Sequence, residues 1–214
     1  MKKEKIKKRS DNVLPTCGEI QRGARIERQT SETKISLSWE LDGEGLSKIK
    51  SPLPFLNHML VLLAKHGFFN LRIIATGDVE VDPHHLTEDL GICLGEALKK
   101  ALGDKKGICR YGFTLLPMDE VLVAISLDIS GRPFLSLKMP KKRRKGAFDI
   151  ELLKEFLKGF VNQSGITLHI NLISGENLHH IIEAIFKGLG KALDAATKID
   201  PRAKNTIPST KGKI

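Results

Sequence analysis

Asp82-Pro83-His84-His85-Leu86-Thr87-Glu88-Asp89 and Asn177-Leu178-His179-His180-Ile181-Ile182-Glu183 carry one His-His-x-x-Glu cluster, written twice in the same chain. His84 and His179, His85 and His180, and Glu88 and Glu183 are each separated by 95 residues. The match runs on: Leu94, Gly95, Ala97 and Leu98 recur as Leu189, Gly190, Ala192 and Leu193. A repeated apolar pattern is ordinary helix core. A repeated pair of imidazoles with a carboxylate is not, because packing needs none of them. On a helix, residues four apart share a face, so His84 with Glu88, and His179 with Glu183, can each grip one ion. Adjacent residues are rotated by ~100°, so His85 points away from His84 and serves a different ion. The clusters read as two metal sites, each taking ligands from both repeats. Imidazole and carboxylate donors without thiolate suit Mn, Fe or Zn. The bland alternative, a polar helix start that happens to carry histidines, explains one copy better than two in register.

The flanking sequence gives each cluster the same surroundings. Residues 24–30 and 34–40 alternate, with Ile35, Leu37 and Trp39 on one side, as half-buried strands do. Leu41-Asp42-Gly43-Glu44-Gly45 reads as a hairpin turn, after which 46–49 returns as a strand. An apolar helix follows from Phe55 to about His66, then a strand over 70–75, a short strand at Val79 and Val81, and a long helix from the first cluster to Leu102. The second half repeats the plan: strands over 112–117, 121–129 and 134–139, a helix over 150–160, a strand over 166–173, and a last helix from the second cluster to about Lys198. The expected fold class is α+β, two similar half-domains with their helices sandwiched between two β-sheets. The divisions are a flexible basic arm (1–22), a first half-repeat (23–107), a second (108–200) and a C-terminal tail (201–214).

Bulk properties remove several functions. The net charge of +10 is partly local, with six Lys or Arg in residues 1–10 and five in Pro140-Lys141-Lys142-Arg143-Arg144-Lys145. Short basic runs without a groove-reading motif, in a chain only 5% aromatic, argue against nucleic acid. No apolar run approaches the ~20 residues that span a bilayer. The basic start has no apolar segment after it, so it is not a secretory signal. Organelle targeting by 1–22 is weakened by its acidic residues, and the expected location is the cytoplasm. Cys17, Cys93 and Cys109 are odd in number and lack CxxC spacing, as in a reducing compartment.

Taken in order, several stretches resemble the imidazoleglycerol-phosphate dehydratase family of histidine biosynthesis. They are Phe55-Leu56-Asn57-His58-Met59-Leu60, His66-Gly67, Gly77-Asp78, the first cluster, Pro117-Met118-Asp119-Glu120, Ser130-Gly131-Arg132-Pro133, the second cluster through Lys187, and Pro208-Ser209-Thr210-Lys211-Gly212. The resemblance implies a dehydratase that turns imidazole glycerol phosphate into imidazole acetol phosphate. It implies two Mn ions per active site and a homo-oligomer of 24 subunits with metals at subunit contacts. Carried over residue by residue, the metal ligands are His58, His84, His85, Glu88, His179, His180 and Glu183. The substrate-binding residues are Arg110, Arg132, Lys187, Ser209 and Lys211, and Glu32 is the carboxylate that moves the proton.

Three positions depart from the family pattern. Glu155 stands where an eighth ligand, usually histidine, is expected; a carboxylate also binds manganese. Asn57 replaces an aspartate before His58, and Pro83 replaces one before His84, where proline suits a helix start. Combined with the helical spacing, the resemblance groups His58, His84, Glu88 and His180 on one ion, and His85, His179, Glu183 and Glu155 on the other. The departures also admit an alternative, a catalytically weakened metal-binding paralogue.

Overall fold

The structure is a computed structural model that describes residues 22–139, 148–203 and 206–214. The basic arm (but for Arg22), Cys17 and the run at 140–145 lie outside the described residues. Eight strands form two four-stranded sheets. The first contains β1 (Gly23–Gln29), β2 (Thr33–Glu40), β3 (Ser47–Lys50) and β4 (Asn70–Gly77) in the order β1-β2-β4-β3. The second contains β5 (Tyr111–Met118), β6 (Val121–Asp128), β7 (Phe134–Lys138) and β8 (Thr167–Ser174) in the order β5-β6-β8-β7. Four helices complete the fold: α1 (Pro54–His66), α2 (His84–Leu102), α3 (Ile150–Ser164) and α4 (Leu178–Thr197).

Alternation sets which side of each sheet is covered. Ile35, Leu37 and Trp39 of β2 are buried, and so are Leu71, Ile73 and Ala75 opposite them on β4. Trp39 meets the edge of Phe69 at a centroid distance of 5.2 Å and lies 6.4 Å from Phe160 of the other half. α2 covers β1 and β2, and α4 covers β5 and β6. The two remaining helices cross over: α1 packs on α4, and α3 packs on α2. The helices therefore lie between the sheets, as expected, and each helix pair joins the two halves.

Two local expectations differ from the structure. Residues 41–45 are not a hairpin, because β3 pairs with β4 in parallel rather than with β2. Periodicity shows that a strand returns but not which neighbour it takes. The parallel pairing makes β3-α1-β4 a crossover unit; Gly45 is left-handed in the connection from β2 to β3, and Phe68 is left-handed between α1 and β4. Val79 and Val81 lie in a turn rather than a strand, with Val81 N–H donating to Asp78 O at 2.9 Å.

The repeat is finer than one offset. β1 and β5 begin 88 residues apart (111 − 23), whereas the clusters are 95 apart. The extra length lies between β7 and α3. Between α1 and α3 the buried positions match at 97: Leu56, Met59, Leu60, Leu63 and Ala64 against Leu153, Phe156, Leu157, Phe160 and Val161. A Cβ added at Gly95 would lie 2.4 Å from Phe160 O, and one added at Gly190 would lie 2.6 Å from Leu63 O. Both are one contact seen twice, backbone against backbone, and it needs glycine. Gly95→Ala should lower stability by about 1–3 kcal/mol, read as an earlier denaturation midpoint. A midpoint equal to wild type would show that the helices are not in backbone contact there.

Candidate metal and phosphate sites

Each cluster opens a helix. Asp82 Oδ1 accepts from His84 N at 2.6 Å at the start of α2, and the Asn177 side chain accepts from His179 N at 3.0 Å at the start of α4. Such caps satisfy first-turn amides and fix the first turn that carries the histidines. His84 Nε2 then stands 3.6 Å from Glu88 Oε2, and His179 Nε2 stands 3.3 Å from Glu183 Oε2. These are the expected i,i+4 pairs.

The partner helices bring further donors. Phe55 of α1 packs edge-on to His179 at 5.2 Å, and the His58 imidazole interacts electrostatically with Glu183. On the other side Phe156 O lies where a Cβ on Gly91 would meet it at 2.2 Å, and Glu88 O lies 2.8 Å from a Cβ on Gly159. The α3 turn with Glu155 thus sits beside the α2 turn with Glu88. The 97-residue match makes Glu155 the counterpart of His58 (155 − 58). Within one chain His58 falls with His179 and Glu183, and Glu155 with His84 and Glu88, a different grouping from the one helical spacing suggests. Among the described residues no three His, Cys, Asp or Glu side chains converge to hold one ion.

The second histidine of each cluster is held by a carboxylate. Asp78 lies 3.2 Å from His85 Nδ1, with Glu32 Oε2 at 3.8 Å, and Glu120 lies 2.9 Å from His180 Nδ1. The hydrogen bond that His85 donates to Asp78 raises the pKa of His85, and the one that His180 donates to Glu120 raises the pKa of His180. His180 in turn lowers the Glu120 carboxyl. Burial pushes Glu183 up, but the hydrogen bond and charge of the Lys187 ammonium at 2.7 Å bring it below the usual carboxylate range. Glu155 is paired with Lys158 at 2.7 Å. Asn57 donates to Ser51 O at 2.9 Å and accepts from Ser51 Oγ at 2.6 Å, so it braces the entry to α1.

The C-terminal tail builds a separate pocket of about 570 Å³. Arg110, Arg132, Ser209 and Lys211 line it, joined by Tyr111, Ser130, Thr210 and Lys213, which spacing did not single out. Lys187, assigned with them by resemblance, is not among its lining residues; its Nζ contacts Glu183 and Met118 Sδ. Arg110 adopts φ +73°, donates to both oxygens of Asp128 at 2.7 and 3.1 Å, and donates to Pro208 O at 2.8 Å. It ties the tail to β6 more than it faces the pocket. Arg132, 70% exposed in its side chain, lines the pocket with its guanidinium 3.8 Å from Asp128 Oδ2. Lys211 N donates to Ser209 Oγ at 3.2 Å and Gly212 N to Ser209 O at 3.0 Å, a tight turn of the kind that cradles anions. Asp119, Glu120, Asp78 and Lys213 were missed as site residues; the one signal for Asp119, Glu120 and Asp78 was their place in quoted motifs.

Arg110→Ala should free the tail. Losing hydrogen bonds to a charged partner costs about 1.5–3 kcal/mol, so amide exchange over residues 206–214 should accelerate at least tenfold while the sheets stay protected. Unchanged exchange there would show that another contact holds the tail.

The imidazoleglycerol-phosphate dehydratase family model matches residues 51–193. A relative named imidazoleglycerol-phosphate dehydratase from Geobacter sulfurreducens is 52% identical over 197 residues, covering 91% of this chain and 100% of the relative. One of the same name from Cupriavidus pinatubonensis is 53% identical over 194 residues, covering 90% of this chain and all of its own length. A Pyrococcus furiosus crystal structure, described as IGPD in complex with (S)-C348, superposes with a TM-score of 0.77 at 40% identity, covering 88% of this chain and 100% of that one. A Staphylococcus aureus imidazoleglycerol-phosphate dehydratase structure does so with a TM-score of 0.73 at 40% identity over 83% of this chain and 99% of its own. The duplicated clusters, the paired sheets and these relatives agree: the chain belongs to the imidazoleglycerol-phosphate dehydratase family, hydro-lyases of histidine biosynthesis.

Proposed function

We propose that the chain is a manganese-dependent dehydratase that converts imidazole glycerol phosphate into imidazole acetol phosphate. The observation that carries the reading is the duplicated half-site, an imidazole–carboxylate pair at the head of both α2 and α4. The donors fit the ion: imidazole and carboxylate without thiolate suit Mn²⁺, and a carboxylate on Nδ1 leaves Nε2 as the binding nitrogen. His58, His179 and Glu183 would contribute donors to one ion, and Glu155, His84 and Glu88 to the other, neither set of these described residues closing on an ion within one chain. His85 and His180 supply the remaining imidazoles, shared with neighbouring copies in a homo-oligomer of 24 subunits. Two ions then serve each active site. Mn²⁺ bound there would supply Lewis acidity to the substrate imidazole.

The chain's own groups do the rest. Glu32, exposed at the β1–β2 turn, removes the proton from the carbon next to the one that loses its hydroxyl. General-base catalysis of this kind contributes about 10²–10⁴-fold. Arg132, Ser209 and Lys211 bind the phosphate, with Arg110 holding the tail in place beneath them. Lys187 reaches the substrate once its ion pair with Glu183 opens. None of the described helices is long and apolar enough to cross a membrane, Cys93 and Cys109 are free thiols, and we place the enzyme in the cytoplasm.

Turnover of imidazole glycerol phosphate with Mn²⁺, measured beside metal content, tests the reading. Wild type should turn over with two ions per chain, and Glu32→Gln should lose about 10²–10⁴-fold in kcat while keeping both. Two bound ions without turnover would instead mark a catalytically weakened paralogue. Glu155→Ala should lose one ion and spare the other, and Glu155→His should keep or raise activity. An Ala variant with two ions and unchanged turnover would remove Glu155 from the ligand set. Stripping the metal should split the large particle into smaller species on sizing, because ions shared between subunits act as cross-links. A particle of unchanged mass after verified removal would contradict that.

A further inference from the structure

Through Glu120 the β5–β6 turn is fastened to the end of β8 and, at two points, to the start of α4; Asp119 Oδ2 of the same turn lies 3.9 Å from His180 Nε2. Glu120 Oε2 lies 2.9 Å from His180 Nδ1, and Oε1 accepts from Asn177 N at 3.2 Å. Its backbone carbonyl accepts from Ser174 Oγ at 3.3 Å. Asn177 is the residue whose side chain caps His179 N, so a single carboxylate touches both the cap and the second histidine of the cluster. The neighbouring Asp119 adopts φ +49°, a left-handed conformation that is costly for a residue with a Cβ. That turn delivers Glu120 to the helix start.

The first half repeats the placement without repeating the sequence. β2 and β6 begin 88 residues apart (121 − 33), and the same offset carries Glu32 onto Glu120 (120 − 32). Glu32 stands 3.8 Å from His85 Nδ1, too far for a hydrogen bond, and Asp78 makes that bond instead at 3.2 Å. In the first half the two tasks fall to two residues: Asp78 holds the imidazole and Glu32 stays unbonded to it. In the second half Glu120 occupies the position of Glu32 but does what Asp78 does.

We propose that Glu120 is a positioning residue for metal binding, which fixes the His180 ring and its tautomer so that Nε2 faces the ion. The inference rests on the proposed metal sites and goes beyond them, because Glu120 is not itself a ligand. A carboxylate that accepts from Nδ1–H leaves the Nε2 lone pair free, aims it, and makes it more basic; losing such a partner typically costs about 10–100-fold in metal affinity. Geometry also separates Glu120 from Glu32. A carboxylate bound to an imidazole and a backbone amide is committed to orientation, whereas one that stands clear is free to take a proton.

The test is Mn²⁺ binding to the full chain by equilibrium dialysis with metal analysis, for wild type, His180→Ala, Glu120→Ala and Glu120→Gln. Glu120→Ala should weaken one of the two ions by about 10–100-fold and leave the other unchanged. Glu120→Gln keeps one carbonyl oxygen to accept from Nδ1–H but sets an NH2 against Asn177 N, so it should recover part of that loss; a role that needs the negative charge would not distinguish Gln from Ala. His180→Ala identifies which ion is concerned. If wild type binds two ions and His180→Ala loses one, while Glu120→Ala binds both within about twofold of wild type, this inference fails and the metal sites stand. If wild type binds none, both fail together. Should Glu120→Ala not fold, Glu120→Gln decides alone: the proposal requires both ions to remain bound, with the one at His180 weakened less than tenfold, and loss of that ion overturns it.

Discussion

The architecture depends on backbone contact between helices that belong to different halves. α2 meets α3 and α4 meets α1 where a glycine on one helix lets the carbonyl of the other come within 2.4 and 2.6 Å of the position a Cβ would take. Larger residues would hold the helix axes apart, at the usual 8–10 Å or more. The exchange makes each half-site a joint product, with His58 of one half beside Glu183 of the other, and Glu155 beside the turn that carries Glu88. A duplicated fold whose halves kept to themselves would bring neither pair together.

Equal backbones do not give equal electrostatics. Glu183 has a side chain only 12% exposed and is paired with Lys187, while Glu88 is 45% exposed. Glu155 puts a carboxylate where the other half has the imidazole of His58, and it is paired with Lys158 at 2.7 Å. The half-site on α2 is therefore wetter and carries more acid, and the half-site on α4 is drier and carries more base. An ion held among more negative charge would be a weaker Lewis acid, so a metal bound at one position would differ in that property from a metal bound at the other.

Much of this was legible in the sequence because the signals are local. The i,i+4 spacing of His84 with Glu88, and of His179 with Glu183, follows from helix geometry alone, and alternation at Ile35, Leu37 and Trp39 sets the buried side of β2. What the sequence hid was non-local. Nothing in residues 41–50 tells a hairpin from a parallel crossover, since both need a turn followed by a strand, and the choice falls to β4. Val79 and Val81 alternate as a strand does but lie in a turn after β4 ends. The 95-residue offset is true of the last helices only. Along that offset Glu155 misses His58 by two residues, and Glu120 has no counterpart; the 97- and 88-residue registers of α1/α3 and of the strand turns restore both. Lys187 shares a helical face with Glu183, and spacing cannot say whether a lysine there grips a ligand or its neighbour.

The central claim is that the two clusters are metal sites built across the helix pairs. Anomalous diffraction at the manganese edge from Mn-loaded crystals tests it most directly. The account predicts two peaks per chain, one against His179 and Glu183 and one against His84 and Glu88, with Glu155 rather than Lys158 turned toward the second. A single peak, or peaks away from both helix starts, would contradict it.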